Sequence, residues 1–286
     1  MAGTAPVQGH LGEQRAAGMS DIPQEVSPQK MSSRKANPRK ANPRKVGLVT
    51  GAGSGIGRAA ALAFARSGAA VAVLDIDGGT AAETAETIRK DGGDALALTV
   101  DIADELSVRT AVGRTVAAYG GLDFAVNNAG MASHHRQLDQ MNSEEFERVV
   151  HVNLAGAFLC MKYELPLLKG GGAIVNIASN GGLYAIPRAP AYVAAKHGIV
   201  GLTKAAAVDY APDNIRVNAV CPGPTLTPGF EQVAAGTDMI AMQGAITPLG
   251  RLATPEEAAA AAVWLCSDAA SYVTGIALSV DGGRRA

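Results

Sequence analysis

Short apolar runs alternate with longer helix-like stretches from residue 46 to the end of the chain. Seven runs rich in Ala, Val, Ile and Leu have the length of buried strands, at residues 46–49, 70–74, 95–100, 124–127, 173–177, 216–220 and 276–280. Strands that alternate with helices in this way form a parallel sheet with right-handed crossovers. The pattern predicts an α/β fold with a doubly wound sheet of about seven strands, whose ligands bind at the carboxyl ends of the strands.

Composition favours one large domain over residues 46–286. Hydrophobic residues make up 48% of the sequence, enough for a sizeable core, and aromatic residues only 4%. No apolar run is long enough to span a bilayer, and the first thirty residues lack the apolar stretch of a signal peptide. Three widely spaced cysteines, Cys160, Cys221 and Cys266, indicate buried free thiols in a reducing compartment. We therefore expect a cytoplasmic protein without a membrane association.

The first 45 residues have a different character from the rest of the chain. They contain eight Lys or Arg and three Asp or Glu, which leaves 17 basic and 23 acidic residues, a net charge of −6, for residues 46–286. The sequence Lys-Ala-Asn-Pro-Arg is repeated at 35–39 and 40–44. We predict a disordered basic extension over residues 1–45; an arm that contacts an anionic partner, or a true start at Met19 or Met31, is the alternative. The acidic remainder disfavours nucleic acid as a partner.

A glycine turn joins the first predicted strand to the first predicted helix, at residues 58–67. It reads Thr-Gly-Ala-Gly-Ser-Gly-Ile-Gly over residues 50–57. Gly51 permits a tight turn, Gly55 lets the backbone approach a pyrophosphate, and Gly57 lets the helix pack on the sheet. The free N–H groups of the helix N-terminus would then face phosphate. This context predicts a dinucleotide site.

A second group of residues supplies acid–base chemistry. Ser179 precedes Tyr192, and Lys196 follows Tyr192 by one helical turn, so the last two side chains share a helix face. A free phenol has a pKa of about 10, but a neighbouring ammonium and a cationic cofactor ring both favour the phenolate. Tyr192 is the predicted general acid and base, tuned by Lys196, and Ser179 is predicted to orient the substrate oxygen.

Together, the Thr-Gly-x-x-x-Gly-x-Gly turn, Ser179 and the Tyr-x-x-x-Lys pair resemble the short-chain dehydrogenase/reductase family, from about Val46 to Asp281. The resemblance implies a Rossmann-like single domain and adds Asn153 as the fourth catalytic residue, which positions a water for proton relay. It implies a cofactor site formed by Gly51, Ser54, Gly55, Ile56, Gly57, Asp75, Ile76, Asp101, Ile102, Asn128, Ala129, Gly130, Tyr192, Lys196, Pro222, Gly223, Thr225 and Thr227. One position departs from the family, because Thr225 stands where Ile or Val is common.

NAD is the predicted cofactor. Asp75 ends the second strand, where a carboxylate accepts hydrogen bonds from the adenosine ribose and repels a 2′-phosphate. Relatives that prefer NADP place Arg or Lys at the position of Ser54 or just after this strand, and this chain has neither there. Asp101 is predicted to contact adenine; the alternative is that it caps the helix beginning near Glu105.

The resemblance predicts NAD-dependent interconversion of a secondary alcohol and its ketone by hydride transfer, without a metal. The apolar residues of segment 227–248 suggest a lid, and with Met131, Ala132 and residues 181–187 they favour an apolar substrate, cyclic alcohols among the candidates. An NADPH-dependent 3-oxoacyl carrier-protein reductase is the alternative enzyme, and a non-catalytic nicotinamide-sensing scaffold is the alternative of another class. A homotetramer is expected, and His134 and His135 are interpreted as surface or substrate-loop residues.

Overall fold

The computed structural model of the protein describes residues 44–168 and 170–286. The predicted basic extension lies outside the described residues apart from its last two positions. Arg44 forms an ion pair with Asp94 at 3.0 Å, and Lys45 forms one with Asp268 at 2.8 Å. These two residues therefore contact the folded domain.

Seven parallel strands form one sheet in the order β3-β2-β1-β4-β5-β6-β7. Their bounds are β1 Val46–Thr50, β2 Ala70–Asp75, β3 Asp94–Thr99, β4 Phe124–Asn127, β5 Gly172–Ile177, β6 Ile215–Pro222 and β7 Ala277–Val280. The predicted doubly wound, Rossmann-like sheet is confirmed, with each strand within a few residues of its predicted position.

Nine α-helices connect or flank the strands in the described part of the chain. They are α1 Gly55–Arg66, α2 Gly78–Lys90, α3 Glu105–Tyr119, α4 Ser143–Val150, α5 Gly156–Glu164, α6 Pro190–Tyr210, α7 Pro228–Ala234, α8 Met239–Ala245 and α9 Pro255–Cys266. Helix α1 begins three residues before its predicted start, because the last part of the glycine turn is already helical. None of the described helices is long and apolar enough to cross a membrane.

The core lies on both faces of the sheet because neighbouring strand residues point to opposite sides. In β1, Leu48 packs with residues of α3, α5 and α6, whereas Val49 packs with residues of α1, α2 and α9. Phe64 of α1 stacks on Phe124 of β4, with ring centroids 4.1 Å apart. The three cysteines are buried free thiols, as expected.

The strand order reverses between β1 and β4. From β1 the chain adds β2 and β3 on one side, and from β4 it adds β5, β6 and β7 on the other. Loops that leave the carboxyl ends of β1 and β4 diverge here and leave a crevice, which is where doubly wound sheets bind ligands. The glycine turn follows β1 and Asn128 follows β4, so both meet at this crevice.

Candidate active site

Backbone geometry shapes the glycine turn at residues 50–57 into a concave surface, which we call the glycine cradle. Gly51 and Gly55 have φ of +61° and +53°, in the left-handed region that favours glycine. A Cβ on Gly57 would lie 2.1 Å from the carbonyl oxygen of Gly51, so α1 could not start so close to β1 with any larger residue. The N-terminus of α1 has no acidic residue in its first turn. Its free N–H groups suit a phosphate.

Thr50 at the end of β1 and residues 128–129 just after β4 hold the glycine turn in place. The Asn128 side-chain amide donates to the carbonyls of Thr50 and Gly51 at 3.0 and 3.1 Å. The backbone N–H groups of Asn128 and Ala129 both donate to the Thr50 hydroxyl at 3.0 Å. Asn128 and Ala129 therefore fix the two loops at the reversal of strand order.

Asp75 lies at the end of β2 beside the cradle. One carboxylate oxygen accepts from the N–H of Gly53 at 2.8 Å and the other from the N–H of Asp77 at 3.0 Å. Ile76, the next residue, is exposed. Ser54 is exposed as the N-cap of α1, and its side chain makes no capping hydrogen bond. This edge of the crevice presents a fixed carboxylate and no basic residue at the positions of Ser54 and Ile76.

The structure separates the roles of Asp101 and Ile102. Asp104, not Asp101, caps α3 by accepting from the N–H of Leu106 at 2.9 Å, so the alternative capping role of Asp101 is wrong. Asp101 instead accepts from the N–H of Ala103 at 2.8 Å. The side chain of Ile102 is buried against Gly156, so only its backbone is available to a ligand.

The loop after β6 closes the crevice from the other side. A Cβ on Gly55 would lie 3.2 Å from the Thr227 side chain, so this loop contacts the glycine turn directly. Thr227 caps α7 by accepting from the N–H of Phe230 at 3.2 Å. Thr225 is buried, and its hydroxyl donates to the Gly223 carbonyl at 3.0 Å. The Thr225 hydroxyl therefore has a hydrogen-bond partner within the loop, and the departure from the family at this position does not disrupt the loop.

Helix α6 carries Tyr192 and Lys196 towards the end of β5, where Ser179 lies. The 3₁₀ turn Asn180–Gly182 approaches α6 closely: a Cβ on Gly182 would lie 2.7 Å from the Lys196 carbonyl, and one on Gly181 would touch the Tyr192 ring. Lys196 is buried, its Nζ donates to the Ile177 carbonyl at 3.0 Å, and it lies 5.6 Å from the centroid of the Tyr192 ring.

Burial dominates the acid–base properties of this pair. It raises the pKa of Tyr192 above its usual value, and a hydrogen bond with Ser179 opposes the increase. Burial also lowers the pKa of Lys196 to about 8. The sequence predicted that the ammonium lowers the pKa of Tyr192, but desolvation of the phenol has the larger effect here. Because the pKa of Tyr192 lies above that of a free phenol, these surroundings alone favour the protonated phenol at neutral pH.

Asn153 lies in a π-helical turn, His151–Ala155, that joins α4 to α5. Its amide donates to the carbonyls of Met131 and Val149 at 3.0 and 2.9 Å, and its oxygen accepts from the N–H of Met131 at 3.3 Å. Such turns are often found at functional sites. A Cβ on Gly130 would lie 2.5 Å from the Asn153 oxygen and 3.7 Å from Lys196 Nζ. Gly130 therefore keeps a small space open between Asn153 and Lys196.

All four predicted catalytic residues line a single cavity of about 720 Å³. Seven predicted cofactor residues line it too: Ile56, Asn128, Gly130, Pro222, Gly223, Thr225 and Thr227. The remaining predicted cofactor residues lie outside its wall, at or just beyond the carboxyl ends of β1 to β4: Gly51, Ser54, Gly55, Gly57, Asp75, Ile76, Asp101, Ile102 and Ala129. The cavity thus joins the catalytic residues to the inner end of the glycine cradle.

The predicted substrate segments also reach the cavity, but only in part. Met131, Ala132 and residues 184–187 line it, and so do Phe230, Met239 and Ile246 of the predicted lid. The lid residues Val233, Ile240 and Met242 are exposed on α7 and α8 instead. The lid therefore contains two short helices, and Phe230 of α7 and Met239 of α8 are their apolar residues on the cavity wall.

Sequence reasoning missed several polar residues of the site. Asn180 accepts a hydrogen bond from the Ser179 hydroxyl at 3.1 Å and donates to the Tyr184 hydroxyl, which links Ser179 to the substrate wall. Its place directly after Ser179 was the only available signal. Gln243 and Arg284 also line the cavity, and no motif marks either of them.

The two adjacent histidines have separate surroundings. The backbone N–H of His134 donates to Glu145 at 3.0 Å and its ring lies 2.9 Å from the same oxygen, while His135 lines the cavity. The interpretation of this pair as loop residues fits both positions. Across residues 44–168 and 170–286, no cluster of three His, Cys, Asp or Glu could hold a metal ion.

Comparison with known proteins identifies the family. A family model described as enoyl-(acyl carrier protein) reductase matches residues 51–285. A 2,5-dichloro-2,5-cyclohexadiene-1,4-diol dehydrogenase of Sphingobium indicum is 45% identical over 82% of this chain and 95% of its own. The chain belongs to the short-chain dehydrogenase/reductase family. It is an oxidoreductase that acts on alcohol CH–OH groups and uses a nicotinamide cofactor.

Two further relatives extend the comparison. A cis-4-hydroxycyclohexanecarboxylate dehydrogenase of Sinomonas cyclohexanicum is 44% identical over 83% of this chain and 95% of its own. The crystal structure of a 3-ketoacyl-(acyl-carrier-protein) reductase from Brucella melitensis complexed with NADH superimposes with a TM-score of 0.79, at 39% identity, over 85% of this chain and 98% of that one. This short-chain dehydrogenase therefore shares its whole domain with proteins of the family.

Proposed function

We propose that this short-chain dehydrogenase interconverts a cyclic secondary alcohol and its ketone with NAD. The observation that carries the proposal is the cavity in which Ser179, Tyr192 and Lys196 face apolar side chains of the lid, next to the glycine cradle. Two of the similar proteins act, by name, on six-membered rings that bear hydroxyl groups. Their similarity to this chain supports the same substrate class.

The residues present fit a dinucleotide. The glycine turn leaves room for a pyrophosphate above the N-terminus of α1, where larger side chains would collide with backbone. Asp75 would accept hydrogen bonds from the hydroxyls of the adenosine ribose, and its charge would repel a 2′-phosphate. Asp101 and the backbone of Ile102 would hold adenine, and Pro222 to Thr227 would hold the carboxamide. NAD rather than NADP follows from Asp75.

Proton transfer is the task of the protein's own side chains. Bound oxidised nicotinamide would accept hydride at its ring and would add the positive charge that favours the Tyr192 phenolate. Tyr192 then takes the proton of the substrate hydroxyl, and Ser179 holds the substrate oxygen. Lys196 would hydrogen-bond the nicotinamide ribose. The space beside Gly130, between Asn153 and Lys196, would hold the water that relays the proton to solvent.

Substitution of Tyr192 by Phe tests this function. The ring remains but the proton carrier is lost, so turnover of cyclohexanol with NAD should fall by roughly 10²- to 10⁴-fold while NAD binding persists. The assay is reduced-nicotinamide absorbance with NAD and with NADP, over cyclic, steroid and aliphatic secondary alcohols. Tyr210→Phe, on the same helix but outside the cavity, is the matched control. Equal turnover by wild type and Tyr192→Phe would refute the assigned role.

A 3-oxoacyl carrier-protein reductase is the second candidate. One observation favours it: the Brucella melitensis structure of that name shares the fold at 39% identity. Asp75 and the acidic body disfavour its usual NADPH and acidic carrier protein. Faster reduction of a 3-oxoacyl thioester with NADPH than oxidation of any cyclic alcohol with NAD would establish this reading.

We also propose a cytoplasmic homotetramer. The exposed large apolar side chains include Phe158 and Val208 on α5 and α6, and Tyr272 and Ile276 just before β7 at the sheet edge. Surfaces of this kind commonly mark protein contacts. The three buried free thiols fit a reducing compartment. Light scattering at several concentrations should give four times the chain mass; a persistent monomer or dimer would contradict the proposal.

A further inference from the structure

The end of the chain folds back onto the cavity. Gly282 and Gly283 have φ of +66° and +89°, in the left-handed region, and turn the chain after β7. The Asp281 carboxylate accepts from the N–H of Gly283 at 3.0 Å, and the N–H of Leu249 donates to the Gly282 carbonyl at 3.2 Å. A Cβ on Gly282 would lie 2.6 Å from the Thr247 side chain. This close turn brings Arg284 to the cavity wall.

Two of the three guanidinium nitrogens of Arg284 donate hydrogen bonds to the lid segment. Nε donates to the Thr247 hydroxyl at 2.8 Å, and one terminal nitrogen, Nη2, donates to the Gln243 carbonyl at 2.5 Å. The other, Nη1, has no hydrogen-bond partner among the described residues. Nor does any described carboxylate lie within ion-pair distance of this guanidinium. Arg284 is thus oriented by the lid and still has N–H donors to offer.

The cavity itself has an unbalanced charge. Its walls contain the cations Lys196 and Arg284, and no Asp or Glu of the described chain lines it. Lys196 is assigned to the proton relay and the cofactor ribose, which leaves Arg284 without a role in the reaction. A partly buried cation without a counter-ion loses hydration and gains no ion pair. An arginine fork held in this way suits a planar or tetrahedral anion.

We propose that Arg284 binds an anionic group, a carboxylate or a sulfonate, carried by the alicyclic alcohol away from its reacting hydroxyl. The inference rests on the proposed function, because it describes the other end of the same substrate. It makes Arg284 a specificity-determining residue: the anion sets which alcohols bind, and Tyr192 performs the chemistry. Since Arg284 also joins the C-terminal tail to the lid, an anion in this position contacts both.

Binding without turnover tests the proposal on the full chain loaded with NADH. Titration calorimetry compares cyclohexanecarboxylate and cyclohexanesulfonate with the neutral cyclohexanecarboxamide. Wild type should bind at least one anion roughly 10- to 100-fold more tightly than the amide, as expected for a charged hydrogen bond, and the preferred anion identifies the group. Arg284→Gln should lose this preference, Arg284→Lys should retain part of it, and Arg285→Gln, at the exposed neighbouring arginine, should keep it.

Kinetics separate this role from a structural one. For 4-hydroxycyclohexanecarboxylate, Arg284→Gln should raise KM far more than it lowers kcat, and the ratio of kcat/KM to that of cyclohexanol should fall. Equal binding of anions and amide by wild type would overturn the proposal. A parallel loss of anion and amide binding in Arg284→Gln would also overturn the proposal, because Arg284 would then only hold the lid in place. If wild type oxidises no alcohol but binds the anion through Arg284, the proposed function fails, and what stands is an anion site at Arg284 without the assignment of the anion to an alcohol substrate.

Discussion

Close packing of backbone shapes the cofactor side of the site, whereas side chains line the substrate side. We use cofactor side for the glycine turn, Asp75 and residues 128–130, and substrate side for α7, α8, residues 184–187 and Arg284. On the cofactor side, glycines fit within van der Waals contact of neighbouring backbone, and Asn128 and Thr50 bond main-chain groups. On the substrate side, two seven-residue helices cover the cavity with exposed outer faces.

The two sides of the site should therefore respond differently to amino-acid substitution. A cradle made of backbone binds a part common to every dinucleotide, and almost any added atom there causes a collision. A lid made of side chains can change its lining without disturbing the sheet, because its contacts with the core are few. Substitutions on the cofactor side should therefore affect stability and cofactor affinity together, and those on the substrate side should affect substrate selectivity alone.

Gly57→Ala should have the largest effect. The new Cβ would lie 2.1 Å from the Gly51 carbonyl and 2.5 Å from the Asn128 amide, so the start of α1 must move away from β1. We expect a loss of roughly 1–3 kcal/mol in the free energy of unfolding from overpacking, and at least a hundredfold weaker NAD binding. Denaturant melts and fluorescence titration measure both.

Gly113→Ala is the matched control for this prediction. Gly113 lies inside α3 with open space around its Cβ position, so alanine should stabilise the protein by roughly 0.5–1 kcal/mol and leave NAD binding unchanged. Similar NAD affinity in both variants would mean that the cradle is not held by close contact with backbone.

Asp75→Asn should have the next largest effect, on cofactor choice. Asparagine keeps an acceptor for the N–H of Gly53 but removes the charge. We expect NAD to bind roughly 10- to 100-fold more weakly, and the preference for NAD over NADP to shrink. Asp77→Asn, which still caps α2, should change neither. Titrations of each variant with NAD and with NADP measure both affinities. An unchanged preference for NAD over NADP in Asp75→Asn would remove the argument for NAD.

A buried carboxyl beneath the cofactor side gives a third prediction. Glu164 of α5 is fully buried, accepts from the Asn127 amide at 3.0 Å, and has a pKa that burial raises to about 8. Because the folded pKa lies above the unfolded one, the protonated group stabilises the fold fully below pH 4.5, and that stability is lost as pH rises towards 8. The wild type should therefore lose stability relative to Glu164→Gln over this interval, by up to roughly 1.4 kcal/mol per pH unit.

Urea melts between pH 5 and 9 measure this difference. Glu83→Gln, at an exposed position on α2, controls for the change of charge and should follow the wild type at every pH. Parallel curves for wild type and Glu164→Gln would show that Glu164 is ionised in the folded protein. The fold would then tolerate a buried carboxylate beneath the cofactor side.

Local sequence patterns mark the cofactor side more completely than the substrate side, for a physical reason. Strand periodicity and glycine positions are local properties, so the positions of the strands along the chain, the glycine turn and the place of Asp75 follow from short stretches of chain. Arg284 reaches the cavity only because a turn at Gly282 and Gly283 folds the tail onto Thr247. Contacts of that kind join residues far apart in the sequence, and no local pattern marks them.

The pKa of Tyr192 shows the same limit within the catalytic residues. The spacing of Tyr192 and Lys196 predicted their common helix face, and the structure places both on α6 beside Ser179. The direction of the pKa shift depends on how much water the fold removes from the phenol, which the spacing does not contain. The spacing predicts that the two side chains share a helix face, but it does not predict their desolvation.

Phe230→Ala should have the smallest effect and tests the substrate side directly. Phe230 lies on α7 with its ring on the cavity wall, and removal of part of that wall should raise KM for cyclohexanol by roughly five- to tenfold, since about 1 kcal/mol of apolar contact is lost. NAD affinity and the urea midpoint should not change. Val233→Ala on the exposed face of the same helix should leave KM unaltered. If Phe230→Ala weakened NAD binding as much as substrate binding, the lid would belong to the cofactor side, and the division of the site into a backbone-held half and a side-chain-held half would be lost.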